Sequence, residues 1–186
     1  MDLPGQLRIQ ARANRLANHR LHAAIATLDR ADFHAPRTSF FPSLAATLNH
    51  LLVIDLYYIG ALYREPDIEA VFRTFVAADT VAELQVRQAA SDQRLIAFCD
   101  ALDAPACGAA VDMDRGTHVQ RDAVGHVLAH LFMHQTHHRG QAHAMLSGTR
   151  IRPPQLDEFL MPSDAKFRVA DMQALGWTER SVYGPG

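Results

Sequence analysis

Along four separate stretches of this chain, apolar residues recur every three or four positions, the repeat that gathers them on one side of a helix. Leu7, Leu16, Leu21, Ile25 and Leu28 mark the first, from Gln6 to Leu28, which no Gly or Pro interrupts. Pro42 and Ser43 open the second, which carries Leu44, Leu48, Leu51, Leu52, Ile59 and Leu62 and is closed by Pro66. Thr80, with Glu83 three residues on, is a capping-box pair; a third helix is expected from there to about Asp103, carrying Leu84, Val86, Leu95, Ile96 and Phe98. A loop from Pro105 to Arg115 follows, in which Val111-Asp112-Met113 is a candidate extended piece. The fourth helix is expected to begin near Thr117 and to run to Leu146 or Ser147, stopping at Gly148, with Pro153-Pro154 forbidding its continuation. The tail offers short helical turns at Leu156 to Leu160 and Ser163 to Leu175. No repeat and no β-rich run stands out, so the expectation is an all-α four-helix bundle forming a single domain over residues 1–186.

Composition narrows the partners. A chain of 186 residues buries enough surface to fold without disulfides, and Cys99 and Cys107 form no CxxC pair. Eighteen basic against twenty acidic residues, with a single lysine (Lys166) and no basic run, give no field for nucleic acid. The amino end lacks the basic and apolar regions of a signal peptide, and no run of eighteen apolar residues suggests a membrane span. The expectation is a cytoplasmic protein with neither nucleic acid nor membrane as partner.

Eleven histidines are present, seven of them between His118 and His143. His134 and His138 are four apart, so on a helix both imidazoles reach one ion from the same face. Spacing alone is weak evidence here, because His126/His130 and His130/His134 share it. A third ligand must come from elsewhere, and His19, His22, His34, His118 and His50 are the candidates. His50 lies among Leu48, Leu51 and Leu52 and faces the interior, where spacing alone favours a hydrogen-bonded core histidine over a ligand.

Asn49-His50-Leu51-Leu52 with Asp55, and His130-Leu131-Phe132-Met133-His134-Gln135-Thr136-His137-His138-Arg139-Gly140-Gln141, resemble the DinB family. Ala17-Asn18-His19-Arg20-Leu21 and Phe40-Phe41-Pro42-Ser43 are similar to it too, and the resemblance spans about residues 6 to 160. It implies a four-helix bundle, often a homodimer, with a three-histidine metal site made of His50, His134 and His138. Where many members have Trp three residues after the Asp, this chain has Tyr58, a change to the packing or pocket wall rather than to the ligands.

Three neutral imidazoles leave a coordination position open, the pattern of a reactive site rather than a closed structural one. Imidazole suits zinc, nickel, iron and copper; zinc and nickel are expected first. Such an ion acidifies bound water or an incoming thiol, and some members of the family resemble transferases that use a low-molecular-weight thiol. The expected activity is therefore a metal-dependent, thiol-dependent transferase or a hydrolase of small molecules, with a non-catalytic metal-binding or stress-response role as the alternative. A carboxylate-bridged di-iron centre fails, because no Glu stands three residues before a His. The catalytic base stays unassigned; His130 and His137 are candidates, and His130 is also expected to support a ligand from behind. Arg139 and Gln141 are open to a substrate contact or a surface salt bridge. Gly140 is expected at a close helix crossing, Cys99 in the core, Cys107 in a loop and Trp177 docked on the bundle. Proton competition is expected to release the ion below about pH 6.

Overall fold

The computed structural model describes residues 1–157 and 161–183. Its long helices are α1 (Leu3–Ile25), α3 (Leu44–Leu62), α5 (Val81–Asp100) and α7 (Val124–Leu146), joined through the short helices α2 (Arg30–His34), α4 (Ala70–Thr74) and α6 (Ala104–Gly108). A tail follows, made of a 3-10 turn (Pro162–Phe167), α8 (Val169–Leu175) and α9 (Glu179–Tyr183). Around the bundle the neighbours run α1, α5, α3, α7, and the α1–α7 seam is looser than the α1–α5 and α3–α7 seams. The tail folds back on α1, where Met172, Val182 and Trp177 pack near Leu16. Of the helical turn expected over Leu156 to Leu160, Leu156 and Asp157 are irregular and the remainder lies outside the described residues.

Local chemistry sets the helix ends. Asp2, Ser43, Thr80 and Asp103 cap α1, α3, α5 and α6 through their side-chain oxygens. At the start of α5, Glu83 reaches back to the Asp79 amide, 3.2 Å away, while Thr80 Oγ1 accepts from the Glu83 amide. α3 ends four residues before Pro66, because Arg64 adopts a left-handed φ of 57° and the Glu65 and Arg64 amides bond back to Gly60 and Ala61.

The expected start of the fourth helix is corrected. Residues Val119–Ala123 form a strand, β2, antiparallel to β1 (Ala110–Asp114), with Asp114 opposite Val119. Gly116, at φ 76°, turns the hairpin, and its amide bonds to Asp114 Oδ1 at 2.7 Å. Val111 and Met113 point inward to the core, so the strand pairing and not a helix satisfies this backbone. Helix α3 is long and apolar enough to cross a membrane by composition, which qualifies the sequence expectation, but 72% of its most apolar window is buried inside the bundle, as a core helix would be.

The core falls into two apolar halves. One gathers Leu7, Tyr57, Leu95, Leu128 and Leu131; the other gathers Leu21, Ile25, Leu48, Leu52, Leu84 and Leu146. Between them, halfway along all four long helices, lies a buried polar layer: Asn14 and Asn18, Asp55, Gln88 and Asp92, and Gln135 and Arg139. Asp92 accepts from Asn18 Nδ2 at 3.0 Å and Gln88 Nε2 at 3.0 Å, and Arg15 lies 3.7 Å away. Asp55 takes the other hydrogen of the Gln88 amide at 2.7 Å. Burial and then the Asp92 charge push the Asp55 carboxyl up to about 8. Burial pushes Asp92 to about 6, against the pull of Gln88, Arg15, Asn18 and Arg139. Asp92 therefore carries the negative charge of the layer, and Asp55 holds a proton at neutral pH.

Candidate metal centre

The seam between α3 and α7 holds the histidines. His50 stands in the second turn of α3, and His134 and His138 occupy successive turns of α7. The preceding residue fixes the start of α5 relative to α3: Asn49 is buried, its Oδ1 accepts from the Ala78 amide at 2.7 Å, and its Nδ2 donates to the Ala78 carbonyl at 3.0 Å. Asn49→Ala would leave both Ala78 groups unpaired in the interior, and a loss of about 2–4 kcal/mol in urea unfolding is expected. A loss under 1 kcal/mol would show that the clamp is dispensable.

One nitrogen from each of His50, His134 and His138 can be chosen so that all three lie within 4.8 Å of one another. The Nε2 atoms of His50 and His134 are 3.1 Å apart, close to the roughly 3.4 Å expected for two imidazoles on one tetrahedral zinc-type ion. Gln141 Oε1 lies 2.8 Å from His138 Nδ1. An amide oxygen only accepts, so Nδ1 carries the proton and Nε2 turns its lone pair to the cluster. Burial, then His138, lowers His50 to about 4. Burial, followed by His138, His50, His130 and His137, lowers His134 to about 3. Burial also lowers His138, against the raising effect of Gln141. All three are neutral at pH 7, the form a cation requires, so the donor set fits a divalent ion.

The surroundings differ at the two ends of the seam. On one side the Phe41 ring stands 4.4 Å from His50 and 5.4 Å from His138, with Phe40 edge-on to it and largely exposed. On the other, the His130 ring lies 6.5 Å from His134 and 5.4 Å from Tyr58. There a pocket of about 360 Å³ opens, lined among others by Tyr58, Met113, Arg115, His126 and His130. Arg115 Nη2 donates to the Tyr58 hydroxyl at 3.0 Å and stacks over the Tyr57 and Tyr58 rings. Tyr58 is thus a pocket wall residue, as its place in the motif suggested.

The family model for DinB matches residues 10–166 of the chain, with the histidine motifs inside the matched span. The chain belongs to the DinB family. Comparison with individual curated proteins gave no match. In this DinB-family protein the three histidines singled out on the two helices do come together, while His19, His22, His34 and His118 lie outside the cluster. His22 is instead buried at 2% exposure and lowered to about 3, chiefly by burial, and His34 Nε2 lies 2.9 Å from the Asp79 carbonyl.

Several expectations are corrected. The residue behind a candidate ligand is Gln141, three positions on from His138, and not His130, which is exposed toward the pocket. Gln141→Ala is expected to weaken metal binding tenfold to a hundredfold, read by competition with a chromophoric chelator; unaltered affinity would show that ring orientation does not depend on it. Arg139 makes no surface salt bridge but is buried at 8% exposure in the polar layer. Gly140 meets no close crossing: a Cβ there finds nothing within 4 Å. Cys107 sits in α6 and is buried, and burial raises its thiol pKa. Sequence reasoning missed the place of Phe41 against the cluster and the polar layer as a unit, although Phe41, Asn18, Asp55, Gln135 and Arg139 all stand in the family-like motifs. The layer left a signal in spacing, since Asn14/Asn18, Gln88/Asp92 and Gln135/Arg139 are all pairs four apart on otherwise apolar faces.

Proposed function

We propose that this protein is a metal-dependent enzyme acting on small molecules, a transferase that joins a low-molecular-weight thiol to an electrophile or a hydrolase. The observation that carries this is the convergence of three neutral imidazoles in a seam that leaves His50 and His134 partly exposed, one helical turn from His130, which lines a pocket of about 360 Å³. His50, His134 and His138 would hold the ion, with zinc and nickel first in order. A divalent ion there supplies acidity, lowering the pKa of bound water or of a thiol. The chain does the rest. Phe41 shields one side of the cluster from water. Tyr58 accepts its hydrogen bond from Arg115, so its own O–H remains to be donated toward a ligand. His130, exposed one helical turn from His134, is placed to carry a proton at its imidazole. The proposal takes the protein as a cytoplasmic homodimer with no nucleic acid or membrane partner.

The test is elemental analysis of protein purified without added metal, followed by assays with small thiols plus an electrophile and with ester and amide panels. Near-stoichiometric metal with turnover in one panel is the expected result. Metal without turnover in any panel assigns the non-catalytic metal-binding or stress-response role instead. Absence of stoichiometric metal overturns both.

A further inference from the structure

The looser seam of the bundle, between α1 and α7, holds a second and larger cleft of about 480 Å³, on a different flank of α7 from the histidine cluster. That volume is in the range of small-molecule sites. Ala13, Ala17, Phe132 and Leu156 give it apolar walls, and Arg139 stands among its lining residues. Arg139 is more than nine-tenths buried, which makes its hydrogen bonding a matter of full accounting. Its Nη1 serves three oxygens, those of Asn14, Asn18 and Gln135. Its Nε and Nη2 have no protein acceptor among the described residues and are not among the sealed, unpartnered atoms. They form the parallel N–H edge of the guanidinium, the edge that pairs with a carboxylate through two hydrogen bonds.

Charge favours the same occupant. Arg139 and Arg15 both lie near Asp92, while Asp55 is held neutral by burial, so one carboxylate faces two guanidinium groups beneath the cleft. Asp157, the acidic residue on the rim, is exposed and already accepts from Gln155. Gly140 also acquires a role here. It lines the cleft and leaves open the space that a side chain would fill, which accounts for a mid-helix glycine that no helix crossing requires.

We propose that the α1–α7 cleft binds a small organic carboxylate, its anionic end on Nε and Nη2 of Arg139 and its apolar part along Ala13, Ala17 and Phe132 over Gly140.

Calorimetric titration of the metal-loaded protein with octanoate and with benzoate, each beside its uncharged amide, tests this. At least one acid is expected to saturate a single site, roughly ten- to a hundredfold more tightly than its amide. Gly140→Leu is expected to weaken that binding at least tenfold, with metal content and thermal stability maintained, since leucine is the better helix former and its Cβ meets nothing within 4 Å. His50→Ala is expected to leave it unchanged. Saturation by neither acid, equal affinity for acid and amide, or full binding by Gly140→Leu would overturn the proposal. Loss of binding in His50→Ala would place the carboxylate on the metal instead. Dissociation of an oligomer by Gly140→Leu without any acid binding would make the cleft an interface between copies, and the proposal would again fall.

Discussion

Replacing His50 with alanine is expected to weaken metal binding roughly a hundredfold while leaving the bundle folded. Four-ligand zinc sites bind with an apparent 10–16 kcal/mol, so one ligand contributes about 3 kcal/mol, and 1.4 kcal/mol is a factor of ten. The fold survives because His50 is only half-buried and its ring nitrogen faces His134 Nε2 rather than a group of the core. Competition titrations against a chelator, with circular dichroism in parallel, measure both effects. Undiminished affinity in His50→Ala would place the third ligand elsewhere. The acid limb is altered by the structure as well. Because burial lowers His50 to about 4 and His134 to about 3, and lowers His138 as well, protons are expected to compete with the ion at lower pH than the roughly 6 to 6.5 of free imidazole. Metal content followed from pH 8 to 3 reads this directly, and half-release near 6 would mean that the rings are more hydrated than their packing implies. In metal-free protein the same shifts act on stability. Unfolded histidines take up protons below their ordinary 6.5 that the folded ones refuse until about 4 and 3, so stability falls as pH drops through that window.

Arg139→Met is expected to destabilise the protein by about 3–5 kcal/mol, because a buried charge and the donor of three buried amide oxygens are removed together. The loss arises less from the missing attraction than from what remains: oxygens of Asn14, Asn18 and Gln135 without their donor, and a buried Asp92 left with Arg15, 3.7 Å away, as its countercharge. Asp92→Leu is expected to cost a similar amount, and the double replacement less than the sum, because neither side of the Arg139–Asp92 attraction is then left without the other. Additive losses in urea unfolding would show that the two are not coupled. Asp55 behaves differently. Its folded value of about 8 lies above its ordinary 3.8, so between those limits the folded chain holds a proton that the unfolded chain has released. Its stabilising contribution is complete below 3.8 and is lost as pH rises toward 8. In metal-free protein the opposing slope from the histidines, about a quarter protonated at pH 7 when unfolded, fades almost to nothing near pH 8. Stability is therefore expected to decline there by up to about 1.4 kcal/mol per pH unit, and Asp55→Asn is expected to flatten the decline. A slope that persists in Asp55→Asn would assign it to another group.

The histidine cluster and the polar layer show what kind of information a sequence carries. His134 and His138 were legible because a helix fixes the direction of residues four apart without help from the rest of the chain. His50 was not legible in the same sense. Its spacing favoured a core histidine, and only the motif around it, similar to the DinB family, singled it out as a ligand. The bundle was legible from periodicity, yet Val119–Ala123 was read into a helix because a five-residue strand is specified by its partner, β1, more than by its own residues. Gln141 and Phe41 were missed for a related reason: one is a neighbour defined by ring orientation, and the other reaches the cluster from a connecting segment.

The sequence by itself determined the four apolar stripes, the caps that start three of the long helices, and the pairing of two imidazoles on one face, since each of these depends on contacts within a few residues. Tertiary structure alone decided that His50 meets them, that Arg139 turns inward to a layer shared by four helices, and that one of its edges is left facing a cleft. Those outcomes depend on residues far apart in the chain, such as Asn14 and Arg139, being brought within hydrogen-bond reach, and on burial, which sets both the cost of a charge and the partner it must find.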